Sequence, residues 1–305
     1  MQYRLLGKTD LKVSSIGLGC VTFGREIDEP TSRIVLDRAW ERGIRLFDTA
    51  AVYAAGASEM VLGKWIEDRV CRDQCVVATK VTGTLSRSHI LRSAEESLQR
   101  LRTDRIDLLQ MHVWDANTPL EETLEALNTL VETKRVRAIG CSNWQAWQLA
   151  KSLLICQREG WVAMESIQPP YNLVLRGIES DLLPLCLDQQ LGVLSYSPLG
   201  AGFLSGKYRP QQAVPSGTRF DVIPGHQPIY FTKQGYAVLE RLEWVAQRSG
   251  HAMTELALAW VLTKSAITSV LIGARNAAQV DQAFTADALA DRLADGSTLL
   301  NELEQ

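Results

Sequence analysis

The sequence predicts an α/β protein, a (β/α)8 barrel of the TIM-barrel architecture with an N-terminal β-hairpin. Three observations predict it. A short apolar run ending in a polar residue recurs along the chain, an amphipathic helix pattern follows each run, and most intervals span about 25–32 residues, the size of one βα unit. The runs are IRLF before Asp48, CVVAT before Lys80, IDLLQM before His112, RAIGCS before Asn143, ESI before Gln168, GVLSY before Ser197 and SVLI before Gly273. SSIGLGCVTFG fits as one earlier strand. Continuous apolar strands suit a parallel sheet covered on both faces. A doubly wound open sheet is the competitor. It normally carries a GxGxxG turn after its first strand, whereas GLGCVTFG has Thr22 where the third glycine belongs.

Taken in order, YRLLGKTDLKVSSIG reads as the hairpin, placed to plug the bottom of the barrel. Residues 30–42 carry Ile34, Val35, Leu36, Ala39 and Trp40 around a polar face, and 87–101 and 120–133 repeat apolar residues at helical spacing. Ser58 followed by Glu59 suits a helix N-cap with an acidic first turn. The interval from Ser197 to Gly273 is much longer than the rest. Within it, residues 200–230 are rich in Gly and Pro and lack a period, the mark of a functional loop, a lid, after the seventh barrel strand.

Composition narrows the class. The 305 residues could hold two average domains or one large barrel, and the periodicity favours a single domain over 1–305. With 32 basic and 35 acidic residues the net charge is −3, and the basic residues are scattered, so no nucleic-acid footprint is indicated. No apolar run nears the roughly 18 residues of a membrane span, and Met1 leads straight into charged residues, so a cytoplasmic protein is expected. The six cysteines form no CxxC pair and read as buried free thiols, and the four histidines lack ligand spacing, so no metal is expected.

In a barrel the chemistry sits where the strands end. Those ends supply Asp48, Lys80, His112, Asn143, Gln168, Tyr196 and Ser197. A lysine closing an apolar strand needs a partner, and Asp48 on the neighbouring strand can supply the carboxylate. A purely structural pair is equally open on these two residues alone. Tyr53 changes the balance, because an ammonium beside a phenol favours phenolate and tunes it to act as a general acid. His112 can donate a hydrogen bond to the same carbonyl oxygen.

Asp48, Tyr53, Lys80 and His112, within FDTAxxY, GxSE, TK and DLLQMH, resemble the catalytic tetrad of the aldo-keto reductases. IGCSN, QPPYN, YSPLGAGFLSGKY and IGARNAAQV extend the resemblance over nearly the whole chain, and the long lid and GARN ending look more like the bacterial and potassium-channel β-subunit branch than the mammalian aldose-reductase branch. The resemblance implies NADPH-dependent, reversible reduction of aldehydes and ketones, with a monomer as the family-level expectation. It implies that Ser142, Asn143 and Gln168 hold the nicotinamide carboxamide and that Tyr196 stacks on the ring. Ser197, Leu199, Gly202 and Lys207 would cradle the pyrophosphate. Arg275 would grip the 2′-phosphate, Gln279 would reach the adenine, and Gly273 belongs to the same cofactor set. Phe23, Trp114 and Trp144 are candidates for the substrate pocket. Ala283 stands where the family often has an asparagine on the adenine, and Ala54 replaces the glycine that commonly follows the tyrosine. The alternative is an NADPH-bound sensing subunit with slow turnover. A short-chain dehydrogenase would need Tyr-x-x-x-Lys on one helix, which does not occur.

Overall fold

A computed structural model describes residues 1–293 and 298–304. The chain opens with the expected hairpin, in which β1 (Tyr3–Leu5) pairs antiparallel with β2 (Lys12–Ser14). Strand and helix then alternate: β3 (Ile16–Gly19), α1 (Glu29–Glu41), β4 (Leu46–Asp48), α2 (Ala57–Arg69), β5 (Val76–Val81), α3 (Arg87–Leu101), β6 (Ile106–Met111), α4 (Leu120–Glu132), β7 (Val136–Ser142), α5 (Ala146–Glu159), β8 (Ser166–Gln168), α6 (Leu182–Gln189) and β9 (Gly192–Tyr196). After β9 come α7 (Arg219–Val222), α8 (Gln227–Tyr230), α9 (Lys233–Ser249) and α10 (Met253–Leu262). Then follow β10 (Ser269–Gly273), α11 (Ala277–Leu293) and α12 (Thr298–Glu304). Strands β3 to β10 form a closed parallel barrel in chain order, and closure pairs Val270 on β10 with Ile16 on β3.

The alternation of side chains along each strand builds the interior. Leu46, Val76, Ala78, Leu108, Ala138, Leu194 and Leu271 fill the barrel as one buried cluster. Two residues further on, the same strand faces carry Asp48, Lys80, Gln110 and Tyr196. The apolar layer therefore ends where the polar layer begins. Gly17 is small for a packing reason, since a Cβ there would stand 2.6 Å from Leu271 and 2.9 Å from Leu46.

Below that layer the hairpin plugs the barrel. Leu6, Leu11 and Val13 join the interior cluster, Lys8 N–H donates to Glu165 (2.8 Å), and Arg137 bridges the hairpin's Asp10 and the buried Asp107 (both 3.1 Å). The larger hydrophobic cluster lies between strands and helices, and all six cysteines are buried and free.

Helix boundaries follow local chemistry. α1 begins at Glu29 because Asp28 caps it, accepting from Thr31 N–H at 3.0 Å. The cap of α2 differs from the expectation for Ser58. Gly56 holds the N-cap position, and Ser58 lies inside the first turn. The Ser58 hydroxyl has better partners elsewhere, donating to Cys20 C=O (2.7 Å) and bonding Thr49 Oγ1 (2.8 Å). Glu59 is in the first turn as expected, but it is fully buried, accepting from Thr79 Oγ1 and from Arg100 Nε (both 2.6 Å). These bonds pin the start of α2 to the ends of β3, β4 and β5.

The segment 200–230 is structured. A 3-10 turn at Gly200–Ser205 and the short α7 and α8 are held by packed rings from Phe203, Tyr208, Phe220 and Tyr230. Arg219 pairs with Glu26 (2.8 Å) and Arg275 donates to Gly217 C=O (3.3 Å), so the segment reaches the loops after β3 and β10. Among the described residues no helix is long and apolar enough to cross a membrane.

Candidate active site

The polar layer at the C-terminal end of the barrel is organised around one carboxylate. Asp48 Oδ1 accepts from Lys80 Nζ at 2.5 Å, and its Oδ2 accepts from Gln168 Nε2 at 2.9 Å and Gln110 Nε2 at 3.2 Å. Lys80 is fully buried and Asp48 is 3% exposed. Lys80 also donates to Thr49 C=O at 2.8 Å. An ammonium has three donors. Two are committed to Asp48 and Thr49, and Tyr53 lies nearby, its ring centroid 5.1 Å from Nζ. Burial alone drives Lys80 toward the neutral amine. The attraction of Asp48, reinforced by Tyr53, outweighs that penalty and leaves its pKa above that of free lysine.

Tyr53 opens a 3-10 turn, Tyr53–Gly56, whose two central residues are left-handed: Ala54 at φ 49° and Ala55 at φ 52°. A backbone of this kind costs an L-residue about 1–2 kcal/mol, and the family-like glycine replaced by Ala54 falls on one of these positions. The turn brings Tyr53 edge-on to His112, with ring centroids 5.8 Å apart at 80°. His112 follows β6, its N–H bonded to Val81 C=O (2.9 Å) and its Nδ1 3.0 Å from Thr82 Oγ1. Burial first, and the Lys80 charge second, push its pKa down to about 4 against the opposing pull of Asp48, so the imidazole is neutral at neutral pH.

The four residues Asp48, Tyr53, Lys80 and His112 thus gather at one place. Beside them a second group is linked by hydrogen bonds. Ser142 Oγ donates to Gln168 C=O (2.8 Å), Asn143 Nδ2 donates to His112 C=O (3.0 Å), and Tyr196 OH donates to Asn143 Oδ1 (2.8 Å). Gln168, expected to face a carboxamide, gives its amide hydrogen to Asp48 and keeps Oε1 as an acceptor.

Beyond Tyr196 the backbone turns left-handed at Ser197 (φ 53°), Gly200 (57°), Ala201 (56°) and Gly202 (91°). Leu199 caps the 3-10 turn at Gly200–Ser205, and Lys207 Nζ stands 3.2 Å from where a Cβ on Gly202 would be. Arg275 is exposed, and its backbone N–H donates to Gln279 Oε1 (2.7 Å). Neither Lys207 nor Arg275 is paired with a carboxylate among the described residues. Partial desolvation, followed by repulsion from Arg275, lowers the Lys207 pKa. Gly273 is exposed with open space around it, while Ala283 is buried in α11.

The pocket candidates divide. Trp114 is half-buried and meets Trp144 edge-on at 4.8 Å and Trp147 at 5.8 Å. Trp144 is 3% exposed, and Phe23 is fully buried in the hydrophobic core, so Phe23 offers no surface to a cleft. The exposed Trp147, absent from the sequence-based candidates, packs against Trp114 instead.

Reading one residue per strand end also missed Gln110 and Thr82. Both share strand parity with residues it found: Gln110 stands opposite Lys80 in the β5–β6 register, and Thr82 lies two residues beyond Lys80. The Thr49 carbonyl had no side-chain signal to reveal it.

A barrel closed by eight parallel strands, with an Asp–Lys–Tyr–His group at its C-terminal end, defines a class. Residues 15–293 match the family model described as the aldo/keto reductase family. The chain belongs to that family of oxidoreductases. It is 35% identical over 299 residues to YrpG of Bacillus subtilis, an uncharacterized oxidoreductase, covering 92% of this chain and 89% of that one. It is 33% identical to a probable voltage-gated potassium channel subunit beta of Arabidopsis thaliana (92% and 90% covered) and 31% identical to the versiconal hemiacetal acetate reductase of Aspergillus parasiticus (86% of each).

Proposed function

We propose that this protein, acting as a single barrel domain over 1–305, reversibly reduces an aldehyde or ketone to an alcohol with NADPH. The observation that carries the reading is Lys80, fully buried, fixed by Asp48 and Thr49, with the Tyr53 ring 5.1 Å from Nζ. That arrangement suits Tyr53 as general acid, since the ammonium stabilises the phenolate left when the proton departs. Asp48 keeps Lys80 charged despite its burial. His112, neutral and adjacent, orients the carbonyl oxygen.

The residues fit a phosphate-bearing dinucleotide. Left-handed backbone at Ser197, Gly200, Ala201 and Gly202 allows close approach to an anion, and Lys207 supplies a cation there. Arg275, unpaired with a carboxylate among the described residues, suits a 2′-phosphate, with Gln279 beside it. Ser142, Asn143 and the free Oε1 of Gln168 would hold the carboxamide, and Tyr196 would cover the nicotinamide ring. When bound, the nicotinamide supplies the hydride. The half-buried Trp114 with Trp144 and Trp147 suits an apolar or sugar-like carbonyl.

The test is NADPH oxidation followed by absorbance against a panel of aldehydes and ketones, with steady-state turnover expected for some of them. The likeness to potassium channel β subunits favours a second reading, a cofactor-bound regulatory subunit. One slow turnover per bound NADPH across the whole panel would establish that reading and overturn the first.

A further inference from the structure

The geometry points to Thr82 as a positioning residue that fixes the tautomer of His112, placing the ring proton on Nε2. The inference rests on the reading of His112 as the hydrogen-bond donor to the substrate oxygen. A neutral imidazole has one N–H and one lone pair, on different nitrogens, so only one tautomer can donate at a given side. The backbone decides which nitrogen meets which partner. β5 and β6 pair Lys80 with Gln110 and Val81 with Met111, so the next step of the register sets Thr82 against His112. His112 N–H is held by Val81 C=O (2.9 Å) and its C=O by Asn143 Nδ2 (3.0 Å), which fixes the backbone from which the ring projects.

Thr82 Oγ1 stands 3.0 Å from Nδ1. A threonine hydroxyl has a single hydrogen, and among the described residues it has no other acceptor; the Thr82 carbonyl is taken by His89 Nε2 (2.9 Å). With that hydrogen given to Nδ1, both groups are satisfied and Nε2 carries the proton. In the opposite tautomer the hydroxyl hydrogen lacks a protein acceptor. Nε2 would then set a lone pair against the lone pairs of a carbonyl oxygen, which is repulsive. The end of β5 and the residue just beyond it therefore supply two functions two residues apart: Lys80 beside Tyr53, and Thr82 behind His112.

The test is heteronuclear NMR of protein carrying nitrogen-labelled histidine, with the four histidines resolved and His112 assigned by the loss of its signals in His112→Gln. The wild type should show Nε2 protonated and Nδ1 of the unprotonated, pyridine-like kind. Thr82→Val should populate the Nδ1-protonated form and lower kcat/KM for the carbonyl about tenfold, the size of one hydrogen bond to a developing charge, with NADPH affinity unchanged. Thr82→Ser should restore both. A wild-type ring protonated on Nδ1, or a Thr82→Val ring unchanged in tautomer, overturns the inference. The wild-type spectrum decides even where Thr82→Val fails to fold. Normal turnover in His112→Gln would instead remove the carbonyl-orienting role while leaving the tautomer result intact.

Discussion

Lys80 and Asp48 form an ion pair of 2.5 Å with no contact to solvent on the lysine side. Removing one member leaves the other buried and uncompensated. Asp48→Asn should therefore lower stability by about 3–5 kcal/mol in urea unfolding and abolish turnover. The pH dependence has a definite sign. Lys80 has a raised folded pKa, so its stabilisation is present below about pH 10 and is lost as pH rises through the folded value. In Asp48→Asn the burial penalty on Lys80 is no longer offset by the carboxylate, so this alkaline loss should shrink or disappear.

Tyr53→Phe keeps the ring against His112 and removes only the hydroxyl. Carbonyl reduction should fall by about 10²–10⁴-fold, while NADPH binding, followed by fluorescence, stays intact. Near-normal turnover in this variant would end the general-acid assignment.

Arg275→Ala should raise the apparent KM for NADPH far more than that for NADH, because only the former carries the phosphate a guanidinium grips. Equal effects on the two cofactors would remove Arg275 from the 2′-phosphate site.

Ala55 is exposed and left-handed at φ 52°, so glycine relieves strain there without opening a cavity. Ala55→Gly should gain about 0.5–1 kcal/mol after the entropy cost of glycine, seen as a higher Tm. A fall in Tm would show that the alanine methyl contributes packing.

His112 titrates at about 4 in the folded protein against 6.5 unperturbed. Its folded pKa is depressed, so the contribution is whole above pH 6.5 and is lost as pH falls toward 4. Wild-type stability should drop across that window, and His112→Gln should flatten the drop.

The four central site residues were legible because each lies near or just beyond the C-terminal end of a barrel strand, and the βα period announces the strands. Gln110 shares the strand parity of Lys80 and, like it, lies one residue before its strand ends, but only His112, the residue after the run IDLLQM, is read from that strand. Ser58 looked like a cap because capping is read locally, whereas its hydroxyl is claimed by Cys20 and Thr49, distant in sequence. Phe23 follows the first barrel strand, as a pocket residue does, yet its side chain turns into the core. The four-residue α7 and α8 are too short to print a period, so their segment read as an irregular loop.

Closure of the barrel through Ile16 and Val270 also governs how the chain must fold. The first barrel strand waits for the last, across nearly the whole polypeptide, before either has both neighbours. Contacts so distant in sequence slow folding. Until β10 arrives, β3 and β9 are open edges able to pair with another chain. A truncation that removes Ser269–Gly273 should therefore yield aggregates rather than a smaller soluble barrel.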